Sequence, residues 1–144
     1  SLSAKSRAIR AGDDQIEKLS AEETTLLLLD RLNVLIATDI GEDFELGHSL
    51  VWNVVNTEEG QRWPALIGAW DHALLPQLID RYAGRSESLR ELLKVAPESP
   101  TIEAFCERTQ IGTDVSIEAS TLKLNPLSSL LEDKAINILR QLAI

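Results

Sequence analysis

The sequence predicts a mainly α-helical protein: a small helical bundle with a short extended segment or hairpin. Three observations lead there. Apolar residues recur at three- and four-residue steps over long stretches. Two such stretches open on serine-led capping patterns, Ser20-Ala-Glu-Glu23 and Ser129-Leu-Leu-Glu132. Period-two alternation is confined to residues 42–52 and 112–124.

Taken in order, residues 1–19 are polar and weakly periodic, as in a short helix or a tether. Ser20 caps the next helix and Glu23 reaches back to its amide. Leu28, Leu29, Leu32, Leu35 and Ile36 then form one apolar stripe, and Gly41 stops the helix. "EDFELGHSLVW", residues 42–52, alternates apolar and polar residues and reads as extended at least in part, with His48 on the apolar row. A long helical pattern runs from near Glu58 to Gly84, carrying Trp63, Leu66, Ile67, Trp70, Leu74, Leu78 and Tyr82. Pro64 suits its first turn; Pro76 removes a hydrogen bond to the His72 carbonyl and predicts a kink. Ser86 is expected to cap a shorter helix with Leu89, Leu92 and Leu93.

"APESP", residues 96–100, is the clearest break. Ser99-Pro100 then opens a helix with Ile102, Phe105 and Cys106 facing inward. Residues 112–124 suit a short hairpin or an irregular connection. Asn125-Pro126 is a turn signal. A last helix, capped by Ser129 and Glu132, carries Leu131, Ile138, Leu139 and Leu142. These breaks divide the chain into a tether or short helix (1–19), a helical subdomain (20–95) and a C-terminal helical extension packed on it (96–144).

Composition narrows the function. The 144 residues suit one domain with a sizeable core. The formal net charge of −9 disfavours direct binding to nucleic acid or to anionic membranes. No apolar run approaches the roughly 20 residues that span a bilayer. One cysteine, Cys106, rules out an intrachain disulfide and suits a reducing, cytoplasmic setting. One Cys and two His make a metal site an unfavoured reading. The absence of methionine and the opening "SLSAKSR" suggest a piece of a longer protein.

No catalytic constellation stands out. "LLLLD", residues 26–30, resembles a Mg²⁺-binding strand, but Arg31 follows Asp30 and the helical period continues to Ile36. No phosphate-cradling G-x-x-x-x-G-K-[ST] is present. The acidic pairs sit at helix starts and turns, where carboxylates complement the helix dipole. Cys106 reads as a small core residue, and His72 as exposed or as a cap for backbone freed by Pro76. Trp63 and Trp70, seven positions apart, read as core anchors; the alternative is a docking face, together with Trp52.

In order, "LLLLDRLNVLI", "GEDFELGHSLVW" and "ALLPQLIDRYAGRSESLRELL" resemble the C-terminal portion of McrB-type AAA+ NTPases, the nucleotide-hydrolysing subunits of modification-dependent restriction systems. The resemblance rests on Leu32-Asn33, on Leu46-Gly47-His48-Ser49, on Leu75-Pro76 through Tyr82, and on Leu89 to Leu93. It departs where Leu50-Val51 separate Gly-His-Ser from the next aromatic, Trp52, and it does not reach residues 94–144. It implies that 20–95 are the small helical lid of an AAA+ module. It implies nucleotide-proximal roles for Gly47, His48 and Ser49, and sensor or subunit-interface roles for Arg81 and Arg85. By the same implication the chain holds no cofactor itself, while the parent protein takes Mg-nucleotide, GTP or ATP. The implied partners are a P-loop core, ring neighbours and an endonuclease subunit. The alternative is an acidic helical protein–protein interaction module with a Trp-bearing docking face.

Overall fold

The computed structural model describes residues 13–112 and 114–144. The expected tether or short helix at the N-terminus lies largely outside them; within them, Asp13–Lys18 form a 3-10 turn. Among the described residues the protein is a mainly helical bundle with one β-hairpin.

Helix α1 spans Ala21–Asp39. Its capping box is complete: the Ser20 amide donates to Glu23 Oε1 and the Glu23 amide donates to Ser20 Oγ, both at 3.1 Å. Leu28, Leu32 and Ile36 are buried on its core side. The Ile36 carbonyl accepts from Ile40 and Gly41, and Gly41 leaves the helix at φ +148°, a conformation that favours glycine. "LLLLD" lies inside this helix.

The segment 42–52 forms no strand and is helical at both ends, with only 45–47 between its turns. Glu42–Phe44 form a 3-10 turn and α2 runs Ser49–Val55. Short-range bonds decide this: Phe44 donates to Gly41, Glu45 to Glu42, and Val51 to His48. The alternation therefore does not sort residues by burial. Leu46 is buried, whereas Phe44 is 50% and Trp52 66% exposed.

Helix α3, Arg62–Ala69, continues through a π turn at Trp70–Leu74 into α4, Leu75–Arg81. The interruption expected from Pro76 takes this form. Proline lacks an N–H and crowds the preceding carbonyls; in the widened turn the Leu75 amide donates to Trp70, one residue beyond the α register. Gly84, at φ +77°, ends the path. Helix α5, Ser86–Leu92, lacks the expected serine cap: Arg85 holds the cap position and no side chain closes it.

One turn of helix, α6 (Ile102–Phe105), leads into β1, Cys106–Ile111, paired antiparallel with β2, Asp114–Leu122. Cys106 is thus the buried first residue of a strand rather than part of a helix face. The hairpin starts earlier than the alternation at 112–124 indicates, because residues 107–111 pair with 114–118 in a register that alternation in β1 does not announce.

The last helix, α7, spans Glu132–Leu142. Its expected capping box is absent: Leu131 holds the cap position and Ser129 Oγ donates instead to the Pro126 carbonyl at 2.6 Å, inside a 3-10 turn. Leu131 is 74% exposed, while Ile138, Leu139 and Leu142 are buried.

The core draws on both sides of the break at 96–100: Leu28, Leu32 and Leu92 share it with Phe105, Leu127 and Ile138. Trp70 is fully buried, its ring centroid 6.0 Å from that of Phe105. Trp63 lies partly buried under the Arg140 guanidinium, 4.9 Å from the ring centroid.

Candidate functional site

Asn33 interrupts the apolar periodicity of α1, and its side chain is spent on the backbone of one residue. Nδ2 donates to the Leu46 carbonyl at 3.1 Å, and Oδ1 accepts from the Leu46 amide at 2.6 Å. A primary amide reproduces in this way both hydrogen bonds that a paired strand would offer. The clamp drives Leu46 into the core and fixes the start of the next three residues, Gly47-His48-Ser49.

A second set of bonds holds the same connection from α4. Arg81 Nε donates to the Phe44 carbonyl at 2.6 Å and Nη1 to the Gln77 carbonyl at 3.5 Å. The Tyr82 hydroxyl donates to Asp39 Oδ2 at 2.9 Å, and Arg85 Nη1 to the Asp39 carbonyl at 3.2 Å. Arg85 thereby adds positive charge at the C-terminal end of α1. Burial and the Asp39 carboxylate hold the Tyr82 phenol well above its ordinary ionisation range.

Gly47, His48 and Ser49 sit exposed on this frame. A Cβ added to Gly47 would meet no atom within 4 Å, and its φ lies outside the glycine-favouring region. The protein's own fold therefore does not require glycine there. His48 occupies the cap position of α2 without a side-chain cap bond; its carbonyl accepts from Val51 and Trp52. Ser49 is the first residue of α2 and does not cap it. All three are exposed, just after Phe44 and Leu46, whose backbones Arg81 and Asn33 hold.

Beside them lies a groove of about 710 Å³ between α1 and α2. Leu26, Leu29, Val34 and Ala37 line it from α1, and Val51 and Trp52 from α2. Its polar margin includes Asp30, Glu45 and His48. His72, at the π turn, is exposed and stands apart from the groove. Among the described residues, no group of three or more His, Cys, Asp or Glu is placed to hold a metal ion, and no helix is long and apolar enough to cross a membrane.

Sequence reasoning reached the Gly-His-Ser tripeptide, Arg81 and Arg85, but missed what joins them. The sole hint was a polar Asn in an apolar helix, whose partner thirteen residues away only the turn brings near. Asp71 was also missed: its carboxylate accepts from the Leu127 and Ser128 amides at 2.6 and 3.1 Å and pins the C-terminal segment to the π turn.

Comparison with protein-family models, with curated proteins and with solved structures finds no match.

Proposed function

We propose that this chain is the helical lid of a McrB-type AAA+ NTPase that powers a DNA restriction complex. One observation carries the reading. Gly47-His48-Ser49 follows Phe44 and Leu46, which Arg81 and Asn33 hold by their backbones, and is itself exposed, with neither the His48 nor the Ser49 side chain capping α2. Pre-organised polar groups without an internal task suit contact with something outside the chain. In the lid reading that contact is a nucleotide seated on a P-loop core, approached by the bare backbone at Gly47 and the ring of His48.

Arg81 and Arg85 take a different place in this proposal from the one their sequence position suggests. Arg81 donates to the Phe44 carbonyl in the α1–α2 connection and Arg85 to the Asp39 carbonyl at the end of α1, so they hold the frame on which the tripeptide sits. Catalysis belongs to the core, with Mg-nucleotide, GTP or ATP, in a cytoplasmic ring of subunits that works with an endonuclease partner.

The test has two arms. The isolated 144-residue chain is expected to turn over neither GTP nor ATP, and turnover would overturn the proposal. In the parent protein His48→Ala is expected to slow nucleotide hydrolysis while the lid unfolds at the same temperature. Wild-type hydrolysis by that variant would remove the tripeptide's assigned role.

A further inference from the structure

Helix α1 is apolar on two sides. Leu28, Leu32 and Ile36 enter the core; Leu29, 3% exposed, belongs to the core and also lines the groove, beside the less buried Leu26, Val34 and Ala37. An apolar stripe on a helix is normally covered by a neighbouring element. Here the second side stays open: Val34 is 58% exposed, and Trp52 stands across the groove at 66%. No other element of the described chain closes over them.

Charge selects the occupant. Asp30 and Glu45 line the groove and Glu42 and Asp43 are exposed close by in sequence, whereas neither Lys nor Arg lines it. A second copy of a chain with net charge −9 would bring these carboxylates together, so self-association is disfavoured. A cationic occupant is favoured for the same reason. Shape selects its conformation. From Leu26 to Ala37 the floor is about 16 Å long, or three helical turns. The groove presents no unpaired strand edge, so an extended peptide would find no ladder for its backbone, whereas a helix satisfies its own.

We propose that the α1–α2 groove docks a cationic amphipathic helix of a partner protein, with its apolar face between Val34 and Trp52 and its Lys or Arg residues over Asp30 and Glu45. This docking surface does not depend on the chain being an AAA+ lid.

The probe is a synthetic amphipathic peptide of about 14 residues, Leu on one helical face and Lys on the other. Its controls are a scrambled peptide of equal composition and a peptide with Glu in place of Lys. Anisotropy of the labelled peptide is expected to show saturable one-to-one binding, with amide shifts concentrated in residues 26–37 and 45–52. Val34→Asp and Trp52→Ala, both at exposed positions, are expected to weaken binding about tenfold each without changing the unfolding midpoint. The Asp30→Lys, Glu45→Lys double variant is expected to lose the Lys peptide and gain the Glu peptide. Equal binding of the scrambled peptide would overturn the proposal, as would indifference to Val34→Asp and Trp52→Ala. A concentration-dependent dimer abolished by Trp52→Ala would assign the groove to a second copy and overturn it too.

Discussion

At the scale of single residues, two side chains decide how the α1–α2 connection is held. Asn33 satisfies both backbone groups of Leu46, which is buried, so their loss orphans a donor and an acceptor away from water. Asn33→Ala is expected to cost about 2–3 kcal/mol in urea unfolding, with faster amide exchange at Leu46. Asn33→Asp keeps the acceptor but sets a carboxylate against the Leu46 carbonyl, and is expected to cost no less. Tyr82 gives a pH signature. Unfolded tyrosine releases its proton near pH 10, whereas the folded phenol, buried and bonded to Asp39, holds it to higher pH. Between those values the unfolded state binds fewer protons, so stability falls as pH rises. This contribution is constant below about pH 10 and declines by about 1.4 kcal/mol per pH unit above it. Urea midpoints from pH 8 to 11 are expected to fall less steeply for Tyr82→Phe than for the natural chain. Neither role was visible in the sequence. Asn33 showed only as a polar residue in an apolar stripe, and Tyr82 only as the aromatic end of a helix.

At the scale of elements, the three serine caps expected from sequence separate cleanly. Ser20 caps because the chain enters α1 from an extended residue (ψ 166°), which aims Oγ at the Glu23 amide. Ser129 carries the same S-x-x-E spacing, but a 3-10 turn already holds its hydroxyl, and α7 begins later, at Glu132. Ser86 falls inside the first turn of α5. Ser20→Ala is expected to lower stability by about 1 kcal/mol, and Ser86→Ala to leave it nearly unchanged, both read from thermal midpoints. Gly84 tests backbone strain alone. A Cβ there would meet nothing within 4 Å, yet φ is +77°, so Gly84→Ala is expected to cost about 1–2 kcal/mol from the left-handed conformation itself. The helical stretches were legible because period and burial agree in α1, α4 and α7. The segment 42–52 was not, because its alternation met a tertiary clamp and a pair of short helical turns in place of a neighbouring strand.

At the scale of the whole molecule, arginines tie distant parts of the chain together. Arg31 Nη1 donates to the carbonyls of Leu92 and Leu142, both at 2.9 Å, where α5 and α7 end. Arg140 donates to the Leu19 carbonyl at 3.0 and 2.8 Å and covers Trp63. With Phe105, Leu127 and Ile138 in the same core as Leu28 and Leu32, residues on either side of the 96–100 break are expected to unfold together. Circular dichroism and tryptophan fluorescence are expected to give coincident urea transitions. Ile138→Ala is expected to shift both together, by about 2–4 kcal/mol. The sequence by itself determined the helical class, the α1 cap, the apolar stripes, the break at 96–100 and the Gly-His-Ser tripeptide as a place to look. Those signals are local: spacing, caps and the conformational limits of Gly and Pro act within a few residues. Only the tertiary structure decided that Asn33 grips Leu46, that Arg81 braces the connection and Arg85 the end of α1, and that α1 leaves Val34 open beside Trp52. Each of these depends on groups far apart in the chain meeting in space, and local spacing carries no record of such meetings.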